Sequence, residues 1–150
     1  MLTLNLPTKP YSVNAYFYGN RSIKKREAVE WESRIIEFLR TEKTQKDLNN
    51  FRNSFDSSKH SILVDIILTY PQEIIYTKKQ QLSAKAFDIS NTEKPLIDVL
   101  FLPKYSTKTS RNIEIDDKYI SKMSSEKVAG NSHNIEVKIQ LKDLPHLLDK

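Results

Sequence analysis

The chain has 150 residues, of which 38% are hydrophobic and 29% charged, and its net charge is +5. This length fits one domain spanning residues 1–150 and is sufficient to bury a core without disulfides. With only 2 glycines and no cysteine, the sequence excludes glycine-rich nucleotide loops, thiolate metal sites and cysteine nucleophiles.

The hydropathy pattern also indicates the cellular compartment in which the protein is expected. No apolar run approaches the roughly 18 residues that a membrane-spanning helix needs, and the first residues do not resemble a signal peptide. The lack of cysteine suits a reducing compartment. We therefore expect a cytoplasmic protein without a membrane partner.

The positive charge is concentrated in the first part of the chain. Residues 1–60 contain 11 Lys and Arg against 7 Asp and Glu, and four cations lie between positions 21 and 26. Such a cationic segment attracts nucleic-acid phosphates at long range. A solvated helix face explains the same charges, and composition alone favours that simpler interpretation.

In chain order, the first half is predicted to contain one strand and one helix. Leucines alternate with polar residues over 2–6, which is the period of a strand. A tyrosine-rich loop follows at 8–20, and helical spacing of apolar residues predicts a helix over 22–40. The segment 41–59 has almost no pattern and is predicted to be a flexible connection with a short helix.

The second half is predicted to contribute three strands and a second helix. The strands are placed at 61–70, 112–120 and 134–141, with 73–79 continuing or pairing with the first of them. The helix is placed at 91–101 and precedes a polar loop at 103–112. Together these elements predict an α+β domain with a mixed, mostly antiparallel sheet and two main helices.

Polar residues at the second helix form a distinctive pattern. Ser90 and Glu93 have the spacing of a capping box at a helix start. Asn91, Lys94 and Asp98 are three, four and seven residues apart, so a helix places them on one stripe. The helix therefore presents a polar face while its apolar residues bury the other side.

Four aspartates are candidates for a metal site. Asp88 precedes the helix, Asp98 lies on its polar stripe, and Asp116 and Asp117 end a strand-like stretch. Converging carboxylates repel one another unless a cation lies between them, and oxygen ligands alone select Mg²⁺ or Mn²⁺. The alternatives are simpler: Asp88 as a helix cap, Asp98 in an ion pair with Lys94, and Asp116 and Asp117 in a turn.

This acidic run resembles the RusA family of Holliday-junction resolvases, which are small dimeric endonucleases of bacteria and their phages. That family carries a D-x-D-N-x-x-K-x-x-x-D run entering a helix, followed by an Asp-Asp pair. The matching residues are Asp88, Asn91, Lys94, Asp98, Asp116 and Asp117. The segment 4–18 and the strand near 134–141 are also similar, whereas 41–59, 71–84 and 103–112 have the character of insertions.

The resemblance implies a RusA-like fold and a Mg²⁺-dependent endonuclease that resolves four-way DNA junctions by symmetric nicks. Asp88 and Asp117 would be the main metal ligands, with Asp116 and Asp98 in support, and Mn²⁺ could replace Mg²⁺. Lys94 would stabilise charge on the phosphate or position the attacking water. Because the two cut strands are related by a two-fold axis, a homodimer is expected.

The resemblance also implies a basic surface that holds the arms of the junction. Its members would be Arg21, Lys24, Lys25, Arg26, Lys104, Lys108 and Arg111. Recognition of shape and phosphates would leave little need for base contacts. The aromatic run Tyr16, Phe17 and Tyr18 is expected either to stack on unpaired bases or to join the core or the dimer interface.

The sequence departs from the family at one position. Ser90 stands where the family has a metal-binding aspartate, and a hydroxyl is a neutral and weaker ligand. Two functions therefore stay open: an active resolvase, or a protein that binds branched DNA on the same fold without cutting it. A third and more remote alternative is an accessory protein that binds another protein.

Overall fold

The computed structural model describes residues 1–12, 24–83 and 88–145, which form a four-stranded sheet with helices packed against it. The strands are β1 (Leu2–Leu6), β2 (His60–Pro71), β3 (Ile120–Gly130) and β4 (Asn134–Asp143). The helices are α1 (Arg26–Phe38), α2 (Glu42–Ser54), the short α3 (Gln72–Ile75) and α4 (Ile89–Phe101). Short 3₁₀ turns lie at Pro103–Tyr105 and Asp117–Tyr119.

The strand order is β1-β4-β2-β3. The first two neighbouring pairs are antiparallel, with Leu4 opposite Val137 and Val64 opposite Ile139, whereas β2 and β3 run parallel. The predicted α+β class with a mixed, mostly antiparallel sheet is therefore confirmed. The number of main helices was underestimated, since three helices of 13 residues are present rather than two.

The core lies between one face of the sheet and the three long helices. Alternate residues of β1, β2 and β4 are buried, as the period of two in their sequences requires. From the helices, Trp31, Ile35, Leu48, Leu96 and Leu100 join this core. None of the helices among the described residues is long and apolar enough to cross a membrane.

The prediction of a flexible connection at 41–59 was wrong, because most of this segment is α2. Thr41 caps the helix, its hydroxyl accepting a hydrogen bond of 3.2 Å from the backbone N–H of Thr44. Leu48 and Phe51 are buried on the side that contacts β1. Two apolar residues one turn apart, together with a cap, are enough to fix a helix whose other residues are polar.

The strand predicted at 112–120 was also wrong. Ile113 and Ile115 are buried in alternation, but the segment is irregular, and Glu114 between them has a φ of 55°. The strand begins only at Ile120 and continues to Gly130. Likewise the segment 73–79 contains α3 and an isolated bridge rather than a continued or paired strand.

Candidate functional site

A groove between α4 and the start of β3 brings together several residues of the predicted site. One part of it is a cavity of about 270 Å³ that is lined by Ser90, Glu93, Lys94, Ile97, Asp98, Asp117 and Met123. A second cavity of about 310 Å³ shares Ile97, Asp117 and Met123 with the first and continues to Lys122. These two cavities together are the α4–β3 groove.

Larger clefts elsewhere lack this combination of residues. One of about 460 Å³ lies between α2 and the ends of β1 and β4, with Asp47 as its acidic residue. Another of about 670 Å³ surrounds α3 and has Glu73 as its acidic residue. The α4–β3 groove differs because two separate elements each contribute an aspartate to it.

The polar stripe of α4 follows directly from helical geometry. Positions 90, 93, 94, 97 and 98 recur at the spacing of one helix face, and all five line the groove. The opposite side of the helix is buried through Leu96, Val99 and Leu100. Because that side is fixed in the core, the polar stripe is held in place on a rigid element.

The start of α4 differs from the predicted capping box. The helix begins at Ile89 with Asp88 as its N-cap residue, and the Asp88 side chain makes no capping hydrogen bond. Ser90 is therefore inside the first turn. Glu93 does not return to the helix start either, since its carboxylate accepts a hydrogen bond from the hydroxyl of Ser125 on β3. Glu93 thus links α4 to the sheet across the groove.

The two adjacent aspartates at 116 and 117 have different roles in the structure. Asp116 caps the 3₁₀ turn, its carboxylate accepting a 2.9 Å hydrogen bond from the backbone N–H of Lys118. Asp117, the first residue of that turn, lines both cavities of the groove. Consecutive residues point in different directions here, so the structure brings Asp117 and not Asp116 to the groove.

A buried asparagine fixes the segment that leads from α4 to Asp117. Asn112 is fully buried, and its amide nitrogen donates to the carbonyls of Val99 at 3.0 Å and Leu102 at 2.6 Å. Its side-chain oxygen accepts from the backbone N–H of Glu114 at 3.0 Å and from the hydroxyl of Ser106 at 3.2 Å. The connection is therefore tied to the C-terminal end of α4 by hydrogen bonds that water does not reach.

Among the charged residues of the groove, Lys94 and Asp117 are exposed, whereas Glu93 and Asp98 are half-buried. The Lys94 ammonium lies 3.5 Å from the Asp98 carboxylate, so the predicted alternative of an ion pair is present. With the Lys94 side chain 69% exposed, this pair contributes little to stability. The carboxylate of Asp98 thus stays accessible to a ligand in the groove.

The oxygen atoms of the groove match the preferences of a hard cation. Within the described ranges, no three acidic or histidine side chains are grouped in a way that could hold a metal ion. Mg²⁺ is commonly held by one or two carboxylates and completes its shell with water. Asp98, Asp117 and the Ser90 hydroxyl are a donor set of this kind, and Asp88 lies two residues before Ser90 at the start of the same helix.

One cation of the predicted basic surface is an internal structural residue. The Lys24 ammonium binds both carboxylate oxygens of the buried Glu32, at 2.8 and 3.0 Å, and donates to the hydroxyl of Tyr105 at 2.8 Å. Burial acts to lower the pKa of Lys24, but these hydrogen bonds outweigh it and raise the pKa. Lys24 therefore joins α1 to the loop after α4.

Two arginines of the predicted surface are paired at the surface with acids. Arg26 lies 2.9 Å from Glu30 on the exposed side of α1. Arg111 donates two hydrogen bonds, of 2.6 and 3.0 Å, to the carboxylate of Glu114. These hydrogen bonds hold the pKa of Glu114 below its usual value. Both guanidinium groups remain exposed enough to reach a phosphate.

The remaining predicted cations lie near the surface. Lys104 and Lys108 are exposed, and the Lys104 ammonium lies 5.1 Å from the centre of the Tyr105 ring. Lys25 is half-buried at the N-cap of α1. Arg21 and the aromatic run Tyr16, Phe17 and Tyr18 lie outside the described residues.

The residues predicted for the catalytic centre omit some that line the groove and include three that do not, namely Asp88, Asn91 and Asp116. Glu93 is predicted as part of a helix cap, and the predicted site does not include Ile97 or Met123. Asn91 is half-buried and is not among the lining residues. Extending the helical period from Ser90 by three, four, seven and eight positions would have found Glu93 and Ile97. Met123 carries no such signal, because it comes from β3.

Comparison with known proteins does not assign the chain to a family. No protein-family model matches it, and neither does any curated protein sequence. The function is therefore inferred from the fold, from the groove and from the residue pattern.

Proposed function

We propose that this protein is a metal-dependent endonuclease that cuts four-way DNA junctions, as its resemblance to the RusA family implies. One observation carries the proposal. Ser90, Lys94, Asp98 and Asp117, which come from two distant parts of the sequence, line a single groove. These are residues that the acidic run and the Asp-Asp pair of that family would place at the cleavage site.

The groove residues divide the chemistry between them. Asp98 and Asp117, with the Ser90 hydroxyl, would hold Mg²⁺ or Mn²⁺, whereas Asp88, the N-cap residue of the same helix, is not among the residues that line the groove. When bound, such an ion supplies Lewis acidity at the phosphodiester. Lys94, exposed beside Asp98, donates a hydrogen bond to a non-bridging phosphate oxygen as negative charge develops on it.

The DNA is held by cations outside the groove. The exposed residues Arg26, Lys104, Lys108 and Arg111, with the half-buried Lys25, contact phosphates of the junction arms. Lys24 acts indirectly, because its ammonium is committed to Glu32 and Tyr105. Two copies of the chain act together, since symmetric nicking needs two equivalent sites.

The test uses end-labelled four-way junction and a linear duplex of the same sequence, each incubated with and without Mg²⁺. The proposal predicts paired nicks in the junction that require Mg²⁺, and no cutting of the duplex. Asp98→Asn should strongly reduce nicking, whereas the matched variant Asp47→Asn on α2 should retain it. Equal cutting of duplex and junction, or full activity of Asp98→Asn, would contradict the proposal.

A second candidate function is binding of branched DNA without cleavage. The observation that favours it is the neutral Ser90 in the groove, which leaves Asp98 and Asp117 as the aspartates among the lining residues. A slower-migrating junction complex with no nicks at any Mg²⁺ concentration would support this function over the first. Absence of both binding and nicking would exclude both.

A further inference from the structure

The C-terminal end of α2 contacts the segment that carries Asp117 on both sides of that residue. Arg52 lies in the last turn of the helix and Phe55 is its C-cap residue, so the two side chains are neighbours on one face. Arg52 reaches the segment before Asp117, and Phe55 reaches the segment after it. No residue of α2 is among those that line the α4–β3 groove. Any influence of α2 on the groove is therefore exerted through the backbone around Asp117.

The contact before Asp117 is polar. The Arg52 guanidinium donates a hydrogen bond to the backbone carbonyl of Asn112 and lies 4.0 Å from the carboxylate of Glu114. Only 12% of the Arg52 side chain is exposed, so water competes weakly for its hydrogen bonds. Arg52 thus holds the chain a few residues before Asp117.

The contact after Asp117 is aromatic. The ring centres of Phe55 and Tyr119 lie 5.3 Å apart, and their planes are tilted by 59°, which is a favourable arrangement of two aromatic rings. Both rings are partly buried and pack against the core. Tyr119 is the last residue of the 3₁₀ turn that begins at Asp117. Because such a turn is short and tight, fixing its last residue also fixes the direction of its first.

The strand that follows this turn begins with an irregularity. The pairing of β2 with β3 changes register between Ile62 and Leu63, and Ser121 of β3 is opposite no residue of β2. Its hydroxyl instead donates a 2.7 Å hydrogen bond to the hydroxyl of Ser61, which is buried. A bulge of this kind changes the direction in which nearby side chains point. Here it gives the chain leaving the turn a direction that regular pairing would not provide.

The Asp117 side chain depends on this backbone for its position. It is exposed and forms no hydrogen bond or ion pair with any of the described residues. The conformation of the turn therefore determines where its carboxylate lies. A small displacement of the turn would move that carboxylate away from Asp98, which is fixed separately on α4.

We propose that Phe55 and Tyr119 are positioning residues for the cation site, because their ring contact holds the turn in the orientation that keeps Asp117 at the groove. The importance of this contact rests on the proposed function, in which Asp117 is a metal ligand. α2 lies in the segment 41–59, whose sequence has the character of an insertion relative to the RusA family. The support that α2 gives to Asp117 is accordingly a feature of this chain.

The experiment is a Mn²⁺ titration of the full chain without DNA, in which electron spin resonance of free Mn²⁺ gives the dissociation constant. Phe55→Leu keeps an apolar side chain but removes the ring. It should weaken Mn²⁺ binding by about tenfold, the lower range for losing a residue that orients a metal ligand. Tyr119→Leu should have the same effect. The double variant should bind about as weakly as either single variant, because all three lack the same contact.

Two control variants separate this contact from general loosening of the fold. Tyr119→Phe retains the ring and should bind Mn²⁺ like the wild type. Phe38→Leu on α1 is the matched control for Phe55→Leu, since Phe38 is also partly buried and packs against the core, and it should leave Mn²⁺ binding unchanged. Wild-type affinity in either leucine variant of the ring pair, or equal weakening in one of the controls, would overturn the proposal.

Hydrogen exchange distinguishes the failure of this proposal from the failure of the proposed function. The backbone N–H of Lys118 lies within the turn, where it donates to the Asp116 carboxylate, and its exchange needs no metal. Exchange should be faster in Phe55→Leu than in the wild type and unchanged in Phe38→Leu. A wild type that bound no Mn²⁺ but showed this exchange pattern would reject the cation site and support the positioning of the turn. Exchange that did not respond to Phe55→Leu would overturn the positioning role, whether or not Mn²⁺ was bound.

Discussion

The α4–β3 groove and the loop that follows α4 are both rich in polar side chains, but these side chains differ in burial and in hydrogen bonding. In the loop, Ser110 and Asn112 are fully buried, and their side chains hydrogen-bond to backbone groups. In the groove, Ser90, Lys94 and Asp117 are exposed. The polar atoms of the loop hydrogen-bond within the protein, whereas those of the groove are accessible to a ligand.

This difference predicts how substitution of a buried or of an exposed polar residue should affect stability and activity. A buried hydrogen bond that loses one partner leaves a group without water or protein to satisfy it, which destabilises the fold. An exposed carboxylate costs the fold almost nothing when it is neutralised. Groove variants should therefore change activity and spare stability, and loop variants should do the reverse.

The largest effect is expected from Asp117→Asn. Loss of one carboxylate from the cation site should reduce Mg²⁺-dependent nicking by about 10³-fold, the upper range for removing one electrostatic contact at a reacting centre. The midpoint of thermal unfolding should stay within experimental error. The nicking activity and the unfolding midpoint are measured on one preparation, by a junction-nicking assay and by circular dichroism respectively.

The neighbouring variant Asp116→Asn is the matched control for this prediction. Asparagine caps a helical turn about as well as aspartate, and Asp116 caps its turn rather than lining the groove. It should therefore retain most activity. If Asp116→Asn were inactive and Asp117→Asn active, the assignment of the two residues would be reversed.

The next effect concerns the stability of the loop. Asn112→Ala removes two donations to backbone carbonyls and two acceptances, and should lower the free energy of unfolding by about 2–3 kcal/mol. Urea denaturation measures this change. Asn131→Ala, at an exposed position between β3 and β4, is the control and should change it little. Equal effects of the two substitutions would contradict the role of Asn112.

A smaller effect should appear as acid sensitivity. Hydrogen bonds from Arg111 lower the pKa of Glu114 below its ordinary 4.5, so the ionised form is favoured in the folded state. Its stabilisation is fully present above about pH 4.5 and is lost as the pH falls through the lowered pKa. Glu114→Gln should cost about 1 kcal/mol at neutral pH and less at low pH. An equal cost at both pH values would show that its charge is not involved.

The smallest predicted effect is a gain in metal affinity. Ser90→Asp adds a charged oxygen ligand to the groove, so nicking should reach its half-maximal rate at a several-fold lower Mg²⁺ concentration. Ser90→Ala should shift the requirement the opposite way. If both variants had the wild-type requirement while Asp117→Asn was inactive, position 90 would lie outside the coordination shell.

The fold could be predicted wherever a buried face imposes a period on the sequence. β1, β2, β4 and α4 were placed correctly to within a few residues because their apolar side chains recur every two or every three to four positions. β3 was missed because it is an edge strand whose exposed side chains show no alternation. β3 is held in place by parallel pairing with β2, and no pattern in its own sequence indicates a strand.

The groove could be predicted in part for the same reason. Helical spacing relates Ser90, Lys94 and Asp98 to one another without any knowledge of the fold. Asp117 joins them only because Asn112 holds the intervening loop in place. These tertiary contacts cannot be inferred from spacing in the sequence. The local conformation that separates Asp117 from Asp116 is a 3₁₀ turn, and the strand predicted there gave no indication of it.

The most direct measurement of the central claim uses the two methionines as internal probes. Met123 lines the α4–β3 groove, whereas Met1 lines the separate cleft beside α2. In protein labelled with ¹³C at the methionine methyl groups, paramagnetic Mn²⁺ at substoichiometric amounts should broaden the Met123 signal and leave the Met1 signal sharp. Asp117→Asn should abolish that selective broadening. Equal broadening of both signals, or no broadening of Met123 at excess Mn²⁺, would contradict a cation site in this groove.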